Sequence, residues 1–180
     1  MKRILIVLAA LACMAISCNT SSSTTANADT SSSNMSSSNT DMLERNKQTA
    51  LASQQGVTNH DADAVFKDAA PDYTDYGDGS FPPTKGVDSA KKNFEIFLAA
   101  FPDMKGENFT TIAEGNHVAV IGDWSGTFKG ELMGMKPTGK SFKVRDVDIF
   151  TFNDEGKITE HRSIQSFATM FAQVGATMPK

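Results

Sequence analysis

The apolar pattern of this chain changes period at Pro102, and that change constrains the fold more than any other feature. Before it, Ala90, Phe94, Phe97, Leu98 and Phe101 fall at i, i+4, i+7, i+8 and i+11, one stripe of an amphipathic helix. After it, apolar residues recur at every second position through 109–113, 117–128, 142–152 and 158–163, which predicts strands. Glu114-Gly115-Asn116 and Asn153-Asp154-Glu155-Gly156 are short turns, and 134–140 is a longer connection, so the strands pair antiparallel. Phe167, Met170, Phe171 and Val174 predict a last helix, stopped by Gly175.

Upstream, Asp41 and Glu44 have capping-box spacing. Leu43, Ala50 and Leu51 follow on one helical face until Gly56 supplies a stop. A second helix starts near Asp61 and ends before Pro71. The run from Pro71 to Pro83 has the turn chemistry of a long loop, and Asp88 is placed to cap the third helix. Helices first and a strand meander afterwards predict an α+β domain, with the helices on one face of a curved antiparallel sheet. Residues 41–180, 140 of them, suffice for one domain with one core.

The first forty residues have a different character. Lys2 and Arg3 precede an apolar run from Ile4 to Ile16, and Ala15-Ile16-Ser17-Cys18 closes it. That is a secretory signal with a small-residue cleavage site, and a Cys just past the cut resembles the lipobox of bacterial lipoproteins. Its 13 residues fall short of the about 20 a membrane-spanning helix needs. Residues 1–17 are therefore read as signal peptide and Cys18 as the lipidated residue, which places the protein extracytoplasmic in a bacterial cell envelope and anchored by lipid. Residues 19–40 contain 14 Ser or Thr and a single charge, Asp29, so 18–40 reads as a disordered tether. A flexible linker of that length spans roughly 25 Å.

Charge and cysteine content exclude several functions. Loss of Lys2 and Arg3 with the signal leaves 15 basic against 21 acidic residues, a net charge of −6, with no basic run to bind nucleic acid. Cys13 leaves with the signal, so no thiol remains in the body for a disulfide, a zinc site or a nucleophile. Asp72, Asp75 and Asp78 recur at every third residue; calcium loops of the common helical type place oxygens at every second, and this spacing fits a solvated loop. No metal and no cofactor are expected. Gly134-Met135-Lys136-Pro137-Thr138-Gly139-Lys140-Ser141 spells a phosphate-loop motif, but a strand follows it where the chemistry needs a helix amino terminus.

Asp146 and Asp148 alternate with Val144, Phe150 and Phe152, so both carboxylates share a strand face with apolar side chains. A carboxylate held against aromatics is pushed toward its neutral form, which suits acid/base work; the alternative is a half-exposed strand whose acids pair with Lys143, Arg145 or Arg162. Counted back from the Asn153–Gly156 turn, Asp148 and His161 lie close to opposite each other, in reach of a hydrogen bond. His161 could equally be a structural histidine satisfied by a carboxylate. His117 beside its turn reads as a surface residue, and His60 has no metal spacing. Tyr73, Tyr76 and Trp124 are large aromatics with a polar tip, as a pocket for a small apolar molecule would use.

A further set of landmarks stands in one order over about 75 residues: Phe101-Pro102-Asp103, Ser125-Gly126-Thr127-Phe128-Lys129-Gly130-Glu131, Gly134 with Pro137-Thr138-Gly139-Lys140, Asp148-Ile149-Phe150, Gly156-Lys157-Ile158 with Glu160-His161, and Gln173-Val174-Gly175. In these the chain resembles the SnoaL-like polyketide cyclases, the ester cyclases of the nuclear transport factor 2-like superfamily. The resemblance implies a cone of helices wrapped by a strongly bent antiparallel sheet, an apolar cavity at the wide end, and homodimers through the outer sheet face. It also implies an intramolecular aldol closure with an Asp as acid and base, just after a Glu-His-Trp string in the last strand. Here that string is Glu160-His161-Arg162-Ser163. Arg162 replaces the Trp and Ser163 the Asp, Ser166 stands at a further acidic position, and Phe128 stands where the family has a His. A serine hydroxyl cannot exchange protons near neutral pH as a carboxyl does.

Three readings follow. In the first, Asp148 and His161 are an acid/base pair acting on a carbonyl compound, with Tyr73, Tyr76, Trp124, Asp146, Arg162 and Ser163 around the substrate. In the second, the domain is a ligand-binding lipoprotein that has lost catalysis. In the third, it is a dimerisation or scaffold module with a filled core.

Overall fold

The computed structural model describes residues 30–177, with side chains from residue 38 onward; the signal-peptide segment, Cys18 and residues 19–29 lie outside the described residues. Helix α1 runs Thr30–Thr58, α2 Ala62–Phe66, α3 Val87–Ala100 and α4 Phe167–Val174. The strands are β1 Ala69–Asp75, β2 Thr84–Lys85, β3 Lys105–Glu114, β4 His117–Thr127, β5 Ser141–Phe152 and β6 Ile158–Ser163. They form one six-stranded sheet in the order β2-β1-β6-β5-β4-β3. The class is α+β, with the helices before and after the β3–β6 meander.

The sheet is mixed, because β1 pairs parallel with β6; every other neighbouring pair is antiparallel. The expectation of a long loop from Pro71 to Pro83 is corrected here. Its first residues are strand, and the turn begins only after Asp75. Pro71 cannot donate to a ladder, and the β1–β6 pairing is irregular between Ala69 and Thr74, where such a residue is tolerated.

Helix α1 begins at Thr30 rather than at Asp41. Residues 30–40 contain no Gly or Pro to interrupt a helix, so the Asp41/Glu44 pair lies within it and caps nothing. Glu44 is bonded instead to Lys47 and Gln48 on the exposed face. Nor does Gly56 stop the helix. A Cβ there would lie 2.9 Å from Val65, so Gly56 is the point at which α1 and α2 touch. Asp61 caps α2 by accepting from the Ala64 amide at 3.0 Å. The cap of α3 is Gly86, at φ 84°, and Asp88 sits in the first turn.

One sheet face packs on the helices. Val118, Val120, Trp124 and Phe128 from β4 and its continuation, with Phe142, Phe150 and Phe152 from β5, are all buried on that side. Phe101, just after α3, stacks on Phe128 with centroids 5.3 Å apart and meets Phe142 edge-on. Near the start of β3, Gly106 leaves room for two rings, since a Cβ would stand 2.5 Å from Phe109 and 2.6 Å from Trp124. The segment resembling a phosphate loop leads into strand β5.

Candidate functional site

A cavity of about 700 Å³ lies between the inner sheet face and helices α1, α3 and α4. Phe66, Phe94, Phe97, Phe142 and Phe167 supply much of an apolar wall, and most of its ionisable groups, Asp75, Asp146, Asp148 and His161, come from the β1–β6–β5 part of the sheet. The core is therefore not closed, and a drug-sized molecule has room.

The polar wall is centred on His161. Its Nε2 lies 3.0 Å from Oδ1 of Asp148, and its Nδ1 lies 3.0 Å from Oδ1 of Asp75. The strand register explains the arrangement. His161 stands opposite Phe150 on β5 and opposite Asp75 on β1, while Asp148, two residues from Phe150, shares its face and reaches the ring diagonally. The position directly opposite Asp148 is Ser163, because the β5–β6 ladder shifts register between Thr151 and Phe152. The turn count thus brings the pair together, with His161 two residues from the position opposite Asp148.

Burial disfavours the imidazolium of His161, but the hydrogen bonds and charges of Asp148 and Asp75 outweigh that and push its pKa up to about 10. The ring is doubly protonated at neutral pH and donates one N–H to each carboxylate. In Asp75 burial acts upward, yet the His161 bond and charge and the Gly77 amide hold the carboxyl below its ordinary value. Asp148 is 7 % exposed, and its burial raises its pKa despite His161. Only its Oδ1 is taken up by His161; Oδ2 has no donor among the described residues and is not sealed from the cavity.

Asp146 lies on the same wall and is held differently. It accepts from the Ser163 hydroxyl at 2.6 Å and from the Gln165 amide at 2.7 Å, with Ile164 and Val147 amides also bonded. Ser163 thus stands against two acids of the neighbouring strand, one bonded to it and one opposite.

Tyr73, Tyr76 and Trp124 all line the cavity, as do Asp146 and Ser163. Arg162 does not. It points from the other side of β6, with its guanidinium 3.7 Å from the centre of the Tyr76 ring and 3.6 Å from Glu160, so a direct substrate contact is replaced by a hold on Tyr76. Burial, and then the charges of Asp75 and Asp148, keep the Tyr73 phenol well above its ordinary pKa, hence protonated. His117 is exposed, and the His60 ring bonds the Met104 carbonyl.

Asp75 and Gln54 are site residues that the sequence does not single out. The every-third spacing of Asp72, Asp75 and Asp78 in a turn-rich run fits a solvated loop; the alternation of Tyr73 with Asp75 is the available signal. Gln54 is 3 % exposed, lines the cavity from α1, and has no hydrogen-bond partner among the described residues. Its spacing of i+4 from buried Ala50 marked it as facing inward.

Helices backing a six-stranded mixed sheet, with a carboxylate–histidine wall in the cavity between them, define a nuclear transport factor 2-like ligand-binding domain. Residues 47–174 match the model of the SnoaL-like polyketide cyclases, and the chain belongs to that family. Among solved structures it is similar to AclR of Streptomyces galilaeus, described as a candidate hydroxylase, at 26 % identity and TM-score 0.63, covering 76 % of this chain and 99 % of that one. It is similar also to IdmH of Streptomyces antibioticus, a candidate polyketide cyclase, at 27 % identity and TM-score 0.60, over 73 % and 99 % of the two chains. A candidate SnoaL-like polyketide cyclase of Jannaschia sp. CCS1 shares the fold at 23 % identity and TM-score 0.66, over 76 % and 96 %. No curated protein matches the chain.

Proposed function

We propose that this domain binds a small, largely apolar carbonyl compound and moves a proton at the carbon beside the carbonyl, as in the first step of an aldol closure. One observation carries the reading: Asp148 presents an unbonded oxygen to the cavity while its other oxygen is fixed by His161. A base must reach its proton and have a pKa near the working pH, and burial moves Asp148 in that direction. In the step, Asp148 Oδ2 takes the proton, the C–H electron pair becomes the enolate, and the protonated carboxyl returns the proton to the product. His161, held charged by Asp75, favours the ionised form of Asp148 and so the return of the proton to the product. Asp148 takes the acid/base part that Ser163 cannot play.

The test is hydrogen–deuterium exchange. A panel of apolar ketones and esters is incubated in D₂O with the protein, and deuterium beside the carbonyl is read by mass spectrometry. Exchange above background should fall about 100-fold in Asp148→Asn. Exchange that survives the substitution rules out this base. Ser163 in place of the family's Asp favours a second reading, a binding protein without catalysis, and under it the ligand binds with no exchange in either form.

The amino-terminal sequence supports an extracytoplasmic domain tethered through lipid on Cys18. Cys18→Ser should release it from the membrane fraction. On the far sheet face Ile112 and, just past β6, Ile164 are 58 % and 62 % exposed, which supports pairing with a second copy; sedimentation of the purified protein decides it.

A further inference from the structure

The charged groups that line the cavity are unbalanced. Asp75, Asp78, Asp146 and Asp148 face it with one counter-charge, His161, and among the described residues no Lys or Arg lines it. Arg162, the nearest cation on β6, lies behind the Tyr76 ring. An anionic ligand would meet like charge there, some of it buried, as Asp148 is.

Two buried polar side chains in the same wall also lack partners. Tyr73 is 5 % exposed and Gln54 3 %; neither makes a hydrogen bond among the described residues, and neither has a sealed polar atom, so the phenol and the amide open to the cavity. Such groups are satisfied by a ligand or by water. Carboxylate oxygens are open too. Asp75 takes both the Gly77 amide and His161 on Oδ1, leaving Oδ2 without a donor. Three residues on, Asp78 is fixed by Ser80 and by the Phe167 amide at 2.7 Å, which ties this acidic turn to the start of α4. The wall therefore offers acceptors that need a donor, beside aromatic surface that needs an apolar body.

We propose that the cavity takes an apolar molecule that carries a protonated amine, with the ammonium against Asp75 and Asp78 and the apolar body among the phenylalanines. This rests on the ligand-binding reading above and names its substrate class: an amine-bearing carbonyl compound, with Asp148 left for proton transfer. An ammonium brings up to three N–H donors and a charge opposite to the wall, whereas a neutral alcohol brings one donor and no charge, and an acid brings none when ionised.

Isothermal titration calorimetry of the full chain at pH 7 with 1-naphthylmethylamine, 1-naphthalenemethanol and 1-naphthoic acid separates the cases, since the three share one ring system and differ in charge. The amine should bind at least about tenfold more tightly than the alcohol, and the acid more weakly than either. Raising the salt should leave much of that preference, because the charges are partly buried. Asp78→Asn, which keeps an acceptor for the α4 amide, should narrow the ratio of amine to alcohol affinity. Equal affinity for amine and alcohol, or tighter binding of the acid, overturns the ammonium site and leaves an apolar cavity standing. Failure of all three to bind overturns the cavity reading and the proposal together.

Discussion

Asp75 reaches His161 from a parallel strand, with Oδ1 3.0 Å from the ring Nδ1, and so fixes both the orientation and the charge of a histidine whose other nitrogen meets Asp148. Two carboxylates on one imidazole is an arrangement in which each acid does something different. The more exposed Asp75 is held ionised, while Asp148, buried, is pushed toward its neutral form. Asp75 is thus a positioning residue acting through His161.

Asp75→Asn keeps the shape and removes that charge. The His161 pKa should then drop from about 10 by at least about 1 unit, read from the imidazole carbon resonances in an NMR pH titration. The same variant should shift the pH profile of proton exchange rather than only its amplitude. An unchanged His161 titration would show that Asp148 alone sets its charge.

His161→Ala leaves Asp148 buried without its partner. Removing one member of a buried pair costs about 3 kcal/mol or more, so urea unfolding at pH 7 should show a loss of that order. The pH dependence carries a sign. The folded pKa of His161 lies above the unfolded value of about 6.5, so its contribution is fully present below pH 6.5 and is lost as pH rises through about 10. Asp75, lowered in the fold, contributes above its unfolded value and loses that contribution as the pH falls through the folded one. Wild-type stability should decline toward alkaline pH, and the variant should lack that decline. Parallel curves for the two proteins would contradict the assignment.

Gly106→Ala tests the packing beneath the cavity. The new methyl would meet the Phe109 and Trp124 rings, which are themselves in contact at 5.5 Å between centroids. Neither ring can retreat without moving the other, so a loss of about 2 kcal/mol is expected in chemical denaturation. Gly79→Ala has open space and pays only for its positive φ, so it should cost less.

Much of this architecture was legible from period alone. The strands of the meander and helices α3 and α4 follow from apolar spacing and turn chemistry, because each buries one face, and α2 follows from its Asp61 cap. What stayed hidden depended on partners distant in the chain. Strand β1 has Pro71 inside it and acidic turn residues after it, and only its pairing with β6, more than eighty residues away, makes Asp75 part of a site. Gln54 stands four residues after Ala50 on the inward face, but the cavity it borders is completed by side chains of the sheet and of α3, distant in the chain. Helix α1 outran its expected start because Ser, Thr and Asn are weak helix formers but not breakers.

Ser163 offers the sharpest test of how this site departs from its family. Its hydroxyl donates to Asp146 at 2.6 Å, so a carboxylate introduced there would stand against an acid already held by three backbone amides. Two carboxyls in that position cannot both ionise freely, and one pKa must rise above its unfolded value. A folded state that holds a proton the unfolded state releases is stable at low pH and loses stability as pH rises through the raised pKa. Ser163→Asp should therefore lose ground against wild type as the pH rises above the ordinary carboxylate range of about 4, followed by thermal or urea unfolding over a pH series. Ser163→Ala, which removes one hydrogen bond and adds no charge, should lose about 1 kcal/mol evenly over the same series. If Ser163→Asp also shows no pH-dependent loss, Asp146 must turn away from the new carboxylate, and residue 163 is then free to carry the family's acid without penalty.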